Sequence, residues 1–179
     1  MRMTRENTMA IVVDYQEKLI PAMNDKEELI KTSAMFLEGL KILGIPMVVS
    51  QQYTKGLGGT VSEIKKALGE FEHHEKVSFS VYADDGKEKI DQLNRKNVLI
   101  CGTEAHVCVL QTLIDLRAAG FNVFYVVDCV GSRSQSDKKQ GIKRAMCEGA
   151  FITSAEAALF ELTGGAASDA FKAISKLVK

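Results

Sequence analysis

The sequence predicts an α/β protein: a three-layer α/β/α sandwich on a mainly parallel, Rossmann-like sheet of about six strands. Short apolar runs rich in β-branched residues recur along the 179 residues, and amphipathic stretches separate them. The strand-like runs are apolar at nearly every position, as in strands covered on both faces. The connections are long enough for helical, right-handed crossovers.

The elements follow in order. Residues 9–13 form a buried strand ending at Asp14. Residues 27–43 carry Leu29, Ile30, Met35, Phe36, Leu37, Leu40 and Leu43 near helical spacing, and Gly44 stops that helix. Pro46 opens a strand through Ser50. Residues 51–59, with three glycines, read as a loop, 61–68 as a short helix and 74–79 as a weaker strand. In the second half, 86–93 is a helix, 97–101 a strand, 105–119 a helix closed by Gly120, and 121–127 a strand stopping at Asp128. A helix over 137–147, a strand over 150–153 and helices over 154–162 and 168–179 complete the chain. No repeat, low-complexity tract or linker divides it, so residues 1–179 are expected to form one domain.

Composition excludes several functions. Lys plus Arg and Asp plus Glu are 23 each, so no basic surface is available to displace phosphate counterions or to bind an anionic membrane. Apolar residues make up 46%, enough for a real core. No run approaches the roughly 20 apolar residues of a membrane span, and residues 1–14 lack a signal-peptide core. A cytoplasmic protein with reduced thiols is expected, with a small molecule as its partner and neither nucleic acid nor membrane. The four cysteines, Cys101, Cys108, Cys129 and Cys147, form no CxxC pair and do not cluster with the three histidines, so no structural zinc site is expected.

Ligands of such sheets bind at the carboxyl ends of the strands. The first strand delivers Asp14, the second Gln51 and Gln52, and the third carries Lys76. The fourth delivers Gly102, Thr103, Glu104 and then Cys108, and the fifth Asp128. Cys108 sits in the first turn of a predicted helix, where unpaired N–H groups lower a thiol pKa and can hold an oxyanion. Position alone leaves a second reading open, a small buried hydrophobe. Cys101 and Cys147 read as core, and Cys129 is ambiguous. Asp14 is either a general base for the thiol or a turn cap. Lys76 is either a surface charge or the cation that holds a carboxylate beside a thiol. His73 and His74 are adjacent and point to opposite sides of a strand. His106 carries no decisive spacing. Residues 56–59 do not make a nucleotide fingerprint, and 132–134 read as a polar turn capping the next helix.

Five stretches carry a resemblance: 11–18 (IVVDYQEK), 51–58 (QQYTKGLG), 75–80 (EKVSFS), 101–109 (CGTEAHVCV) and 126–134 (VVDCVGSRS). In this order and spacing the sequence resembles the isochorismatase-like cysteine hydrolases, a superfamily that includes nicotinamidases and N-carbamoylsarcosine amidases. It is most similar to the isochorismatase-domain-containing branch. The resemblance implies an Asp–Lys–Cys triad, with Asp14 as general base, Lys76 as its electrostatic partner and Cys108 as nucleophile. It also implies a non-proline cis peptide at Thr103–Glu104, an oxyanion hole from the backbone N–H groups of Glu104 and Cys108, and a homo-oligomer, a dimer or larger. Gln16, Gln52, Tyr53 and Phe79 are candidate pocket residues.

Two departures bear on the substrate. Nicotinamidases carry an Asp-x-His metal motif where this sequence has Gln52, Tyr53 and Thr54, so no metal and no cofactor are expected. Enzymes acting on isochorismate itself lack the cysteine, so Cys108 argues against that vinyl ether. The expected activity is a metal-independent cysteine hydrolase acting on a small amide or related C–N bond through a thioester-type intermediate. The competing expectation is a binding or scaffold protein that keeps the fold without turnover.

Overall fold

Strand β1 (Thr8–Val13) is buried at every residue, and its alternation sets the layers. Ala10 and Val12 face one hydrophobic cluster, and Met9, Ile11 and Val13 face the other. A strand apolar on both faces needs helices above and below it. The computed structural model describes residues 2–179. Beside β1 lie β2 (Met47–Gln52), β3 (His73–Lys76), β4 (Asn97–Thr103), β5 (Asn122–Gly131) and β6 (Phe151–Thr153). They pair in parallel in the order β3-β2-β1-β4-β5-β6.

Helices α1 (Lys26–Ile42), α3 (Ser62–Leu68), α7 (Ala155–Thr163) and α8 (Phe171–Leu177) cover one face, through residues such as Phe36, Ile64, Leu159 and Ile174. Helices α4 (Asp84–Gln92), α5 (Cys108–Ala118) and α6 (Gln135–Cys147) cover the other, through Ile90, Leu113 and Ala145. Phe36 has no exposed surface, and truncating such a side chain to alanine costs about 3–5 kcal/mol. A one-turn helix, α2 (Thr54–Leu57), and a 3-10 turn (Ile20–Ala22) lie in the connections flanking β1 and β2.

Several boundaries differ from expectation, each for a tertiary reason. The third strand stops at Lys76 rather than 79, because β3 is the sheet edge and the chain turns its next carbonyls toward the Lys76 ammonium. The fifth strand continues to Gly131. A register shift between Ile100 and Gly102 of β4 absorbs extra residues of β5, and pairing resumes at Gly102–Val130. Asp128 thus lies within β5 and caps α7, accepting from the Ala155 N–H at 2.9 Å. Residues 51–59 are not simply a loop, since β2 runs through Gln52 and α2 follows. Cys147, read as core, is exposed at the end of α6. Cys101 and Cys129 are buried in β4 and β5.

Gly102 makes the centre of the sheet possible. Its φ is +130°, and a Cβ there would stand 2.0 Å from the Val13 carbonyl oxygen. Only glycine lets β4 lie against β1 at this point.

Candidate active site

Strands β1 and β4 are the central neighbours, and their crossovers leave on opposite sides, to β2 and to β5. Such a divergence opens a crevice at the carboxyl ends. Asp14 follows β1 and Lys76 ends β3. The loop after β4 leads to Cys108, the first residue of α5. The helix expected from 105 thus starts at the thiol itself, and residues 104–107 form a turn.

Asp14 leaves its strand with φ at +49°, in the left-handed region, and is wholly buried. The Ser50 hydroxyl donates to its Oδ1 at 2.7 Å, and the Lys76 ammonium donates to its Oδ2 at 2.7 Å. Neither side chain of this pair is accessible to solvent. Lys76 Nζ also reaches Gln52 Oε1 at 2.6 Å and the carbonyls of Phe79 and Ser78 at 3.1 and 3.2 Å. A carboxylate, an amide oxygen and two carbonyls thus replace the water that the ammonium loses on burial. The Thr103 hydroxyl fixes the backbone of Asp14, donating to its carbonyl at 2.7 Å.

Cys108 is 7% exposed. Burial pushes its thiol up to about 12. The Asp14 carboxylate pushes the same way, by its charge and as a hydrogen-bond acceptor, while the Lys76 ammonium and the Glu104 N–H oppose both. The lowering expected from a helix start is therefore outweighed by desolvation. The thiol therefore favours its protonated form, with the Asp14 carboxylate within hydrogen-bonding reach of it.

The Thr103–Glu104 peptide is cis. The Glu104 backbone N–H acts to lower the pKa of the Cys108 thiol. Among the described residues the Cys108 N–H has no acceptor in the protein, as befits the first position of a helix. The turn carrying these groups is held firmly. Ala105 N–H donates to the Gly131 carbonyl at 2.7 Å, and Tyr125 donates to the Ala105 carbonyl at 2.8 Å. Gly141 of α6 lies so close that a Cβ there would stand 2.9 Å from that carbonyl. The Glu104 carboxylate is paired with Arg133 at 3.0 Å, and His106 Nδ1 lies 2.9 Å from Ser132 Oγ. Ser134 caps α6 through the Asp137 N–H.

The pocket candidates divide. Both ends of the Gln16 amide are engaged with backbone: Nε2 donates to the carbonyls of Gln52 and Gly58, and Oε1 accepts from the Gln52 N–H. Gln16 therefore secures the loop. Gln52 is an acceptor for Lys76. Tyr53 and Phe79 are half-exposed. Ser50 was missed because β2 ends on three polar residues, Ser50, Gln51 and Gln52, and nothing local marks which of them faces Asp14. The wider clefts, one bounded by Leu68, Phe71 and Leu93 and another by Ile20, Ile30 and Val61, lie away from the thiol. The convergence of acid, amine and thiol locates the site better than concavity does. Gln52, Tyr53 and Thr54 offer neither carboxylate nor imidazole, so they do not fit the metal of the nicotinamidases. Among the described residues no group of three or more His, Cys, Asp or Glu side chains is placed to hold a metal ion.

A family model described as the isochorismatase domain matches residues 8–157. The chain belongs to the isochorismatase family. It is 36% identical to a secreted isochorismatase effector of Phytophthora sojae, over 99% of this chain and 87% of that protein. It is 35% identical to isochorismatase domain-containing protein 1 of Salmo salar, over 96% of this chain but 61% of that longer relative. Among solved structures, the MAR1 ribonuclease of Caenorhabditis elegans superposes with a TM-score of 0.94 at 38% identity, covering 99% of this chain and 92% of that one. The YcaC gene product of Escherichia coli, described as an octameric hydrolase of unknown specificity, superposes with a TM-score of 0.91 over 98% and 88% of the two chains. At 19% identity it shares the fold alone. Among the described residues no helix of this isochorismatase-family chain is long and apolar enough to cross a membrane.

Proposed function

We propose that this isochorismatase-family chain is a metal-independent cysteine hydrolase that cleaves a small amide or related C–N bond. The observation that carries the reading is the solvent-free Asp14–Lys76 pair at 2.7 Å beside a neutral, buried Cys108 thiol. Asp14 takes the thiol proton as sulfur attacks the carbonyl carbon. The oxyanion forms against the N–H groups of Glu104 and Cys108. The C–N bond breaks, the nitrogen leaves with the proton from Asp14, and a thioester remains on Cys108. Water, giving a proton to Asp14, then adds to the thioester and releases the acid and the thiol. Lys76 supplies the counter-charge to the Asp14 carboxylate.

A screen of small amides against the wild type and Cys108→Ala tests this. Turnover lost in the variant, with an acyl adduct on Cys108 in intact-mass spectra, is the expected result. Turnover that survives Cys108→Ala ends the reading, and ligand stabilisation without turnover favours a binding protein instead. RNA belongs in the same screen because the Caenorhabditis elegans relative is called a ribonuclease. A formal net charge of zero and a thiol nucleophile suited to carbonyl carbon support the amide reading over a phosphodiester. A small-molecule substrate, a reducing cytoplasm that keeps Cys108 a thiol, and self-association as a dimer or larger belong to the same proposal. Sedimentation tests the last, and the word "secreted" belongs to the Phytophthora relative.

A further inference from the structure

Cys108 and Lys76 reach the site from distant parts of the fold. Cys108 opens α5, which follows β4, and Lys76 ends β3 at the sheet edge, with β2 and β1 lying between β3 and β4. A hydrogen-bonded link between them runs through Thr112, one turn after Cys108 in α5 and wholly buried. The Thr112 hydroxyl donates to the Cys108 carbonyl at 2.7 Å and accepts from the Val81 N–H at 2.9 Å. Among the described residues, the bond from Val81 is the one hydrogen bond between α5 and the segment that follows β3. That segment also supplies the carbonyls of Ser78 and Phe79 to the Lys76 ammonium. It is braced locally, since Ser78 Oγ donates to the Ser80 carbonyl at 3.0 Å and the Tyr82 N–H donates to Ser80 Oγ at 3.2 Å. A continuous path therefore runs from Asp14 through Lys76, residues 79–81 and Thr112 to the backbone of Cys108.

A threonine hydroxyl bonded to the carbonyl four residues back is ordinary within a helix. Thr163 of α7 shows the plain form. It is buried and donates to the Leu159 carbonyl at 2.7 Å, and among the described residues no other segment donates to it. Thr112 differs because its acceptor is also used, by a backbone N–H 31 positions away. A buried N–H without a partner is costly, so the segment carrying Val81 has to move if the hydroxyl is lost. Reacting groups held in one geometry are sensitive to small displacements.

We propose that Thr112 is a positioning residue that fixes the separation between Cys108 and the Asp14–Lys76 pair. It acts through the two backbones that it joins. The inference rests on the hydrolase reading and deepens it.

Three variants test it. Thr112→Val keeps the shape and removes the hydroxyl, Thr112→Ser keeps the hydroxyl, and Thr163→Val removes the matched hydroxyl of α7. Alkylation by iodoacetamide is followed by mass spectrometry of the Cys108 peptide, far below the melting temperature of every variant, with exposed Cys147 as the standard. Cys108 is 7% exposed, so a loosened start of α5 opens it to the reagent. Thr112→Val is expected to raise the Cys108 rate about threefold or more. Thr112→Ser is expected to return it toward the wild-type value, and Thr163→Val to leave it unchanged. A rate that is unchanged or lowered in Thr112→Val, not restored by Thr112→Ser, or raised equally by Thr163→Val overturns the inference. If Thr112→Val gives no folded protein, amide exchange in the wild type decides. Coupling is reciprocal, so carbamidomethylation of Cys108 is expected to speed exchange at the Val81 N–H about tenfold, and an unchanged rate overturns the inference. For any amide that the wild type turns over, Thr112→Val is expected to lower kcat about tenfold with KM held within about twofold, and an unchanged kcat overturns the inference. Faster alkylation in Thr112→Val with no amide hydrolysed by the wild type counts against the hydrolase reading and leaves the Thr112 assignment standing.

Discussion

Lys76 Nζ lies 2.7 Å from Asp14 Oδ2, and neither side chain touches solvent. Two charges removed from water gain little net stability from each other, yet each makes the other's burial tolerable. Lys76→Met should therefore lower stability by about 3–5 kcal/mol, and Asp14→Asn by a similar amount. The double variant should recover much of that loss while having no activity. Urea unfolding of the four proteins, read as a double-mutant cycle, measures the coupling; simple additivity would mean that the pair is not what holds the two side chains.

Ser50 donates the hydrogen bond to the other oxygen of Asp14. Ser50→Ala leaves a buried carboxylate oxygen without its donor, at a cost of about 1–3 kcal/mol. The freed oxygen also lets Asp14 rotate, so turnover should fall more than substrate affinity does. A kcat and KM that both stay at wild-type values would remove Ser50 from the site.

Burial pushes Cys108 up to about 12. A preformed thiolate would give alkylation by iodoacetamide that is already at its plateau at neutral pH. The neutral thiol predicts a rate that still rises between pH 8 and pH 10.5, followed by mass spectrometry of the Cys108 peptide. The exposed Cys147 should label first and serve as the internal standard.

The same chemistry makes stability depend on pH. Cys101, in the core, is also pushed up to about 12 by burial. A thiol with a raised folded-state pKa stays protonated in the native protein while the unfolded chain loses its proton. The unfolded state then binds fewer protons, so stability falls as pH rises. The contribution is intact below about pH 8.5, the ordinary thiol range, and is lost progressively toward 12. Cys101→Val should flatten the decline of melting temperature between pH 8.5 and 10.5, and an unchanged slope would contradict it.

Gly102 carries a φ of +130° and meets the Val13 carbonyl oxygen, whereas a Cβ at Gly165 meets nothing within 4 Å. Gly102→Ala should fail to give soluble folded protein or should lose more than about 3 kcal/mol. Gly165→Ala should change stability by less than about 0.5 kcal/mol, as surface substitutions usually do. Parallel chemical denaturation of both variants makes the comparison.

The layer architecture was legible because uninterrupted apolar strands and 3.6-period helices are local patterns. Asp14, Lys76 and Cys108 were legible as residues at strand ends, but only strand order brings the end of β3 to the end of β1. Ser50 and the second role of Gln52 were hidden, since nothing local marks which side chains will face the buried carboxylate and lysine. The extension of β5 through Asp128 depends on a register shift in its partner strand. The exposure of Cys147 depends on which helix face meets the sheet. The Cys108 pKa shows the same division: the helix start is local and argues downward, while burial is tertiary and wins.

The ammonium of Lys76 is tethered to the carbonyls of Ser78 and Phe79, and the Phe79 ring stands in solvent on the same short segment. The ring that meets solvent and the carbonyl that holds the cation beside Asp14 thus belong to one residue. A substitution that shifted the backbone at Phe79 would shift an acceptor of the Lys76 ammonium with it.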